Sequence, residues 1–240
     1  MTGAAVLIDG VPVKAGADGQ ASGKVAGLVQ LRDSVSATMQ AQLDEVARGL
    51  IAAFAETDQP GGAAMPDAPG LFTWTGAPGM PAAGTLVDGL AGTISINAAM
   101  DSAQGGNPSL LRDGGANGAG YVANTSGGSS YSSLLISYSE RLDKPMTFDA
   151  STWIAPNASV SAYSANAIGW FENARQSASR ASEASGALAV RTAEALSNDT
   201  GVNVDMEMSL LLDLEHSYQA SARLIRAVDE MLATLLDAVR

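Results

Sequence analysis

Between Leu211 and Leu235 the apolar residues Leu211, Leu214, Tyr218, Ile225, Val228, Leu232 and Leu235 recur at alternating steps of three and four, with Ser221 at the one small position. Leu210, Leu224 and Met231 widen the stripe. This alternation averages the period of helices that pack along their length, so the end of the chain is predicted to be a helix that calls for a coiled-coil partner. An apolar face of that length is costly in water until another surface covers it. On this ground Leu211, Leu214, Tyr218, Leu224, Ile225, Val228, Leu232 and Leu235 are the predicted partner-binding residues.

The terminal helix is expected to begin near Asn203, with Asp205 and Glu207 in its first turn, where the helix dipole favours carboxylates. Asn198-Asp199-Thr200-Gly201 reads as a turn that separates it from a helix over residues 160–197. That helix carries Tyr163, Ala167, Trp170, Ala174, Ala178, Ala181 and Leu188 on one side. Most of these are small, which lets a neighbouring helix approach closely. A further helix is predicted from about residue 24 to 56, where Leu28, Leu31, Val35, Met39, Leu43, Val46, Leu50 and Phe54 form one stripe. The spacing puts Leu28 and Leu31 inside and Arg32 outside, and the helices over 24–56 and 160–197 are expected to pack lengthwise.

Asp58-Gln59-Pro60-Gly61-Gly62 is expected to stop that helix, since proline cannot continue the hydrogen-bond ladder. From 58 to about 128, glycine, proline and asparagine punctuate short alternating runs such as Leu71–Trp74 and Thr93–Ile96, the pattern of half-buried strands. The spacing of Tyr131, Leu134, Leu135, Tyr138 and Leu142 predicts a short helix from about Ser129 to Asp143, closed by Pro145. Met146 to Ala155 reads as extended chain, with Asn157 or Ser159 available to cap the helix over 160–197. At the start, Val6-Leu7-Ile8, Asp9-Gly10 and Val11-Pro12-Val13 form a short hairpin pattern. The fold class is therefore mainly α with a β-rich insertion: an elongated helical bundle or coiled-coil body plus a small β subdomain. Residues 1–57 supply the hairpin and long helix, 58–155 the insertion with its short helix, and 156–240 the helices that complete the body and its terminal coiled-coil segment.

Composition narrows the function. Thirteen Lys and Arg face 25 Asp and Glu, a formal net charge of −12, and the few basic residues form no cluster. Nucleic acid and anionic membrane are thereby excluded as expected partners. The chain has no cysteine, which removes disulfides and thiolate metal sites. The N-terminus lacks the pattern of a cleaved secretory signal, and no apolar run approaches the roughly 20 residues that span a bilayer. A location at the cell surface would then require export without a cleaved signal peptide.

No catalytic constellation stands out. His216 is the one histidine, it lies off the apolar seam, and no second histidine or cysteine exists to complete a metal set or nucleophile pair. Ser126-Gly127-Gly128-Ser129 lacks nucleophile-elbow spacing, and Gly114-Gly115 with Gly118-Ala119-Gly120 does not make a dinucleotide fingerprint. Asp44 with Glu45, and Asp229 with Glu230, are adjacent pairs whose side chains diverge by about 100° on a helix, so each reads as an exposed acidic flank. Trp153, Tyr163, Trp170 and Phe171 read as core packing where the β part meets the helical body. The expectation is a protein that is not an enzyme and needs no cofactor or metal.

Three stretches resemble the type 1 flagellar hook-associated proteins, which join the hook to the filament. They are Gly23-Lys24-Val25-Ala26-Gly27-Leu28-Val29-Gln30-Leu31-Arg32-Asp33 with Gln42-Leu43-Asp44-Glu45; Leu110-Leu111-Arg112-Asp113-Gly114-Gly115; and Gly201-Val202-Asn203-Val204-Asp205 with Tyr218-Gln219-Ala220-Ser221-Ala222-Arg223. The last is shared in outline by rod, hook and other axial proteins; the first points to type 1. The resemblance implies a structural adaptor of the bacterial flagellum, with hook protein and filament-side junction protein as partners and self-assembly into a helical tube. It also implies an extracellular location reached through the flagellar export apparatus, with an export chaperone covering the C-terminal helix. Members of that family begin with a long N-terminal helical region, so Met1 is expected to open a fragment. The alternatives are another flagellar axial protein, of the hook or the filament-side junction, or an appendage protein with an enzymatic insertion at 58–155.

Overall fold

The computed structural model describes residues 4, 6–8, 10–12, 23–59, 65–201 and 203–238, which fall into two compact units, Met1–Ser177 and Ala178–Arg240. As the sequence predicts, the fold is mainly helical with a small β part. The strands are two residues long and pair only two at a time.

In the first unit, β1 (Leu7–Ile8) pairs antiparallel with β2 (Val11–Pro12), while Asp9 of the expected turn lies outside the described residues. The chain then enters α1 (Lys24–Gln30), a five-residue π-helical segment (Leu31–Val35) and α2 (Ser36–Ala53). Alanine, glutamine, leucine, glutamate and arginine fill much of α2, all strong helix formers. Phe54 leaves helical geometry at φ −99°, so α2 ends before Asp58; Pro60, Gly61 and Gly62 lie outside the described residues.

The face that α1 and α2 bury is not the leucine stripe. Leu28, Leu31 and Leu43 are 55%, 51% and 45% exposed, whereas Gln42, Asp44, Glu45 and Arg48 are buried beside Ala47 and Ile51. The expectation of an exposed acidic flank at Asp44 and Glu45 is thus overturned, as is the inward placement of Leu28 and Leu31. The insertion explains why. It has little regular structure, so its backbone amides lack ladder partners, and a buried amide without a partner is costly.

Polar side chains at the ends of α2 and just beyond it meet that need. Asp44 accepts from the amides of Gly89 and Ala91, both at 2.8 Å, and from Gln40 Nε2 at 2.9 Å. Glu45 accepts from the Asp149 amide at 2.8 Å and pairs with Arg48, whose Nη2 donates to the Thr147 carbonyl at 2.6 Å. Gln42 Nε2 donates to the Thr152 carbonyl at 3.0 Å. Glu56 accepts from the amides of Ala116 and Asn117, each at 2.9 Å, and its own backbone exchanges two hydrogen bonds with Ala68.

The insertion holds β3 (Phe72–Thr73) antiparallel to β4 (Ser95–Ile96), with Phe72 opposite Ile96, as the alternating runs predict. The short helices α3 (Leu90–Thr93) and α4 (Leu110–Asp113) and the expected α5 (Ser133–Asp143) complete it. The chain returns through β5 (Met146–Thr147), paired antiparallel with β6 (Asn157–Ala158). One apolar cluster joins Ala47 and Ile51 of α2 to Leu90, with Phe72 and Trp74 packed on it. A second joins Phe148, Ile154, Val160 and Tyr163, with Val46 and Leu50 of α2 against them. Gly49 makes this junction possible: a Cβ there would stand 3.1 Å from Val160 and 3.3 Å from Phe148.

Helix α6 (Val160–Thr200) starts at Ser159, whose Oγ accepts from the Ala162 amide at 3.2 Å. Within the first unit only Val160, Tyr163 and Ala167 of α6 join the core cluster, so the predicted lengthwise packing is confined to the first turns. Tyr163 is fully buried and stacks on Phe148 with ring centroids 4.0 Å apart; Trp170 and Phe171 are half-buried. Trp153 departs from the expected core placement, being 80% exposed in a left-handed backbone conformation at φ +63°.

The second unit, described by itself, contains the rest of α6 and α7 (Val204–Ala238). The predicted turn lies further along than expected, because α6 continues through Asn198, Asp199 and Thr200. The Thr200 hydroxyl is taken up by the Leu196 carbonyl at 2.7 Å, which leaves the break to Gly201. Val202 and Val239 lie outside the described residues.

Candidate assembly surface

Helix α7 begins where the sequence places its cap. Asn203 Oδ1 accepts from the amides of Asp205 and Met206 at 3.1 and 3.3 Å, and the Asn203 carbonyl accepts from Glu207 at 3.0 Å. A side-chain cap satisfies amides that the first turn leaves without partners. Asp205 and Glu207 stand in that turn, where they complement the dipole. The helix then runs 35 residues, about 50 Å at the α-helical rise.

All eight predicted partner-binding residues, Leu211, Leu214, Tyr218, Leu224, Ile225, Val228, Leu232 and Leu235, are exposed, from 41% at Val228 to 77% at Tyr218. Residues three and four apart are neighbours on a helix, so these side chains form one continuous apolar strip. Sequence spacing understates its width. Met206, Met208, Leu212 and Leu236 are exposed as well, and the leucine doublets at 211–212 and 235–236 were the available signal. The strip is flanked by Asp213, Glu215, Asp229 and Glu230, which keep the rest of the helix polar.

Elsewhere the chemistry is that of scaffolding. Among the described residues no three His, Cys, Asp or Glu side chains are grouped to hold a metal ion, and no helix is long and apolar enough to cross a membrane. His216 is exposed on α7. A surface hollow of about 640 Å³ is lined by Pro66, Pro78, Met80, Pro81 and Tyr121, with Asp67 and the already paired Arg48 as its charged residues. In the Leu110–Gly115 stretch, hydrogen bonds from Arg112 and then Asn124 hold the Asp113 carboxyl well below its ordinary value of 3.8, at about 2. Burial pushes the Tyr138 hydroxyl up to about 12.

Residues 196–238 match the family described as flagellar basal body rod FlgEFG protein, C-terminal. The match begins in the last turns of α6 and covers the whole of α7. No curated protein and no solved structure matches the chain. The family match supports a flagellar axial protein, a structural component that assembles with other flagellar proteins into a helical tube.

Proposed function

We propose that the chain is the hook–filament junction subunit of the bacterial flagellum, an adaptor that contacts hook protein on one side and filament-side junction protein on the other. Its role is structural and not enzymatic. The observation that carries this reading is the exposed apolar strip of α7, which requires a partner surface along its length. The match over the same helix supports an axial protein, and the resemblance of Gly23–Asp33 and Leu110–Gly115 to type 1 hook-associated proteins favours the junction over other axial positions. Before export, a flagellar chaperone in the cytoplasm covers the strip; after export without a cleaved signal, the strip joins the tube outside the cell.

The test is binding of the cognate export chaperone to the chain and to a Leu224→Asp, Leu232→Asp variant, which puts charge on the strip. Loss of binding while residues 24–177 keep their fold supports the reading, and undiminished binding rejects it. A second reading, a rod or hook subunit, is favoured by the family match itself. Location of a labelled chain along isolated flagella separates the two.

A further inference from the structure

The first unit carries a second apolar strip. Leu28, Leu31 and Leu43 are exposed, Val35 and Met39 between them are half-buried, and all follow steps of three and four. The π-helical segment Leu31–Val35 lies within the strip, and such segments recur at functional sites. From Leu28 to Leu43 the strip is about 22 Å long at the α-helical rise, too short to approach the roughly 800 Å² per partner of a stable binary complex. It suits one contact among several in an assembly.

Charge decides what covers it. Helix α7 carries seven carboxylates against two arginines, a formal −5, so two copies of α7 laid side by side repel each other. Residues 24–43 carry Lys24 and Arg32 against Asp33, a formal +1. Both segments present apolar strips at coiled-coil spacing, and only their combination pairs opposite net charges.

We infer that the Leu28–Leu31–Leu43 strip of one copy is the docking surface for α7 of a second copy. The contact is heterologous, strip to helix, so it propagates from copy to copy as an open tube requires. This rests on the reading of the chain as an axial subunit.

The absence of cysteine makes the test direct. Chains carrying only Leu31→Cys and chains carrying only Leu224→Cys, distinguished by a mass tag, are mixed and oxidised in air. Any disulfide formed then joins two copies. The Leu31→Cys chain should link to the Leu224→Cys chain about tenfold faster than to a chain carrying Ser185→Cys, because docking raises the effective concentration of the thiols. Leu28→Asp added to the Leu31→Cys chain should abolish that advantage; Leu28 is exposed, so the fold survives the change. Rates equal to the Ser185→Cys control, or a predominance of either same-site dimer, overturn the inference. Chaperone binding that persists when the cross-link fails leaves the junction reading standing and removes only this contact.

Discussion

Glu45 receives Nε and Nη2 of Arg48 at 2.8 Å each, and neither side chain is more than 2% exposed. An ion pair this dry is held by its surroundings as much as by its own attraction, since desolvation offsets much of the Coulomb gain. Here the surroundings are the Asp149 amide, the Thr147 carbonyl and the ring of Phe148, whose centroid lies 5.4 Å from the guanidinium carbon.

Removing one member of that pair strands the other. Glu45→Ala and Arg48→Ala should each lower stability by about 3–5 kcal/mol. The double variant should lose clearly less than the sum, because no uncompensated charge remains. Urea unfolding of the three variants checks this, and strict additivity would show that the two groups act independently.

Asp44 makes a local prediction. Asp44→Ala leaves the Gly89 and Ala91 amides without their acceptor, at about 1–3 kcal/mol per buried group. Amide hydrogen exchange should accelerate at Gly89 and Ala91 first. Acceleration spread evenly over the first unit would contradict a local role.

The inversion of α1 and α2 separates two leucine-class positions that the sequence treats alike. Leu31→Ala should cost under about 0.5 kcal/mol, as for an exposed site, whereas Ile51→Ala should cost about 2–5 kcal/mol. Thermal unfolding of both variants in the isolated chain measures the difference.

Asp113 links the Leu110–Gly115 stretch to pH. Its carboxyl titrates at about 2 in the folded chain, below its ordinary value of 3.8. The stabilisation is therefore complete above the ordinary value and disappears as pH falls through about 2. The carboxyl carbon shift of Asp113 should report a midpoint near 2, rising toward the ordinary value in Arg112→Gln.

What could be read from the sequence was whatever periodicity alone determines. The strip of α7, its Asn203 cap, the 133–143 helix and the pairing of Phe72–Thr73 with Ser95–Ile96 depend on local pattern, and the structure has them. The orientation of α1 and α2 does not depend on local pattern. Their inward face is set by amides at residues 89–91, 116–117 and 149, which lie 45 to 104 positions along the chain from the side chains that bind them. Two clues stood in the sequence: Glu45 and Arg48 at helical i, i+3 spacing, and an insertion poor enough in regular structure to need acceptors from elsewhere. A rule that sends leucine inward and carboxylate outward cannot weigh them.

Asp44, Glu45, Arg48 and Glu56 give the stretch after α2 its shape, and this bears on how such a chain can be altered. The stretch cannot be exchanged as a cassette. A foreign segment grafted between Thr57 and Pro156 would meet three carboxylates and a guanidinium aimed at atoms it does not have, and the excised segment would lose the acceptors that fold its turns. Replacement therefore has to carry Gln42 through Glu56 along with the segment, so that the unit of transfer is a helix and its loops together.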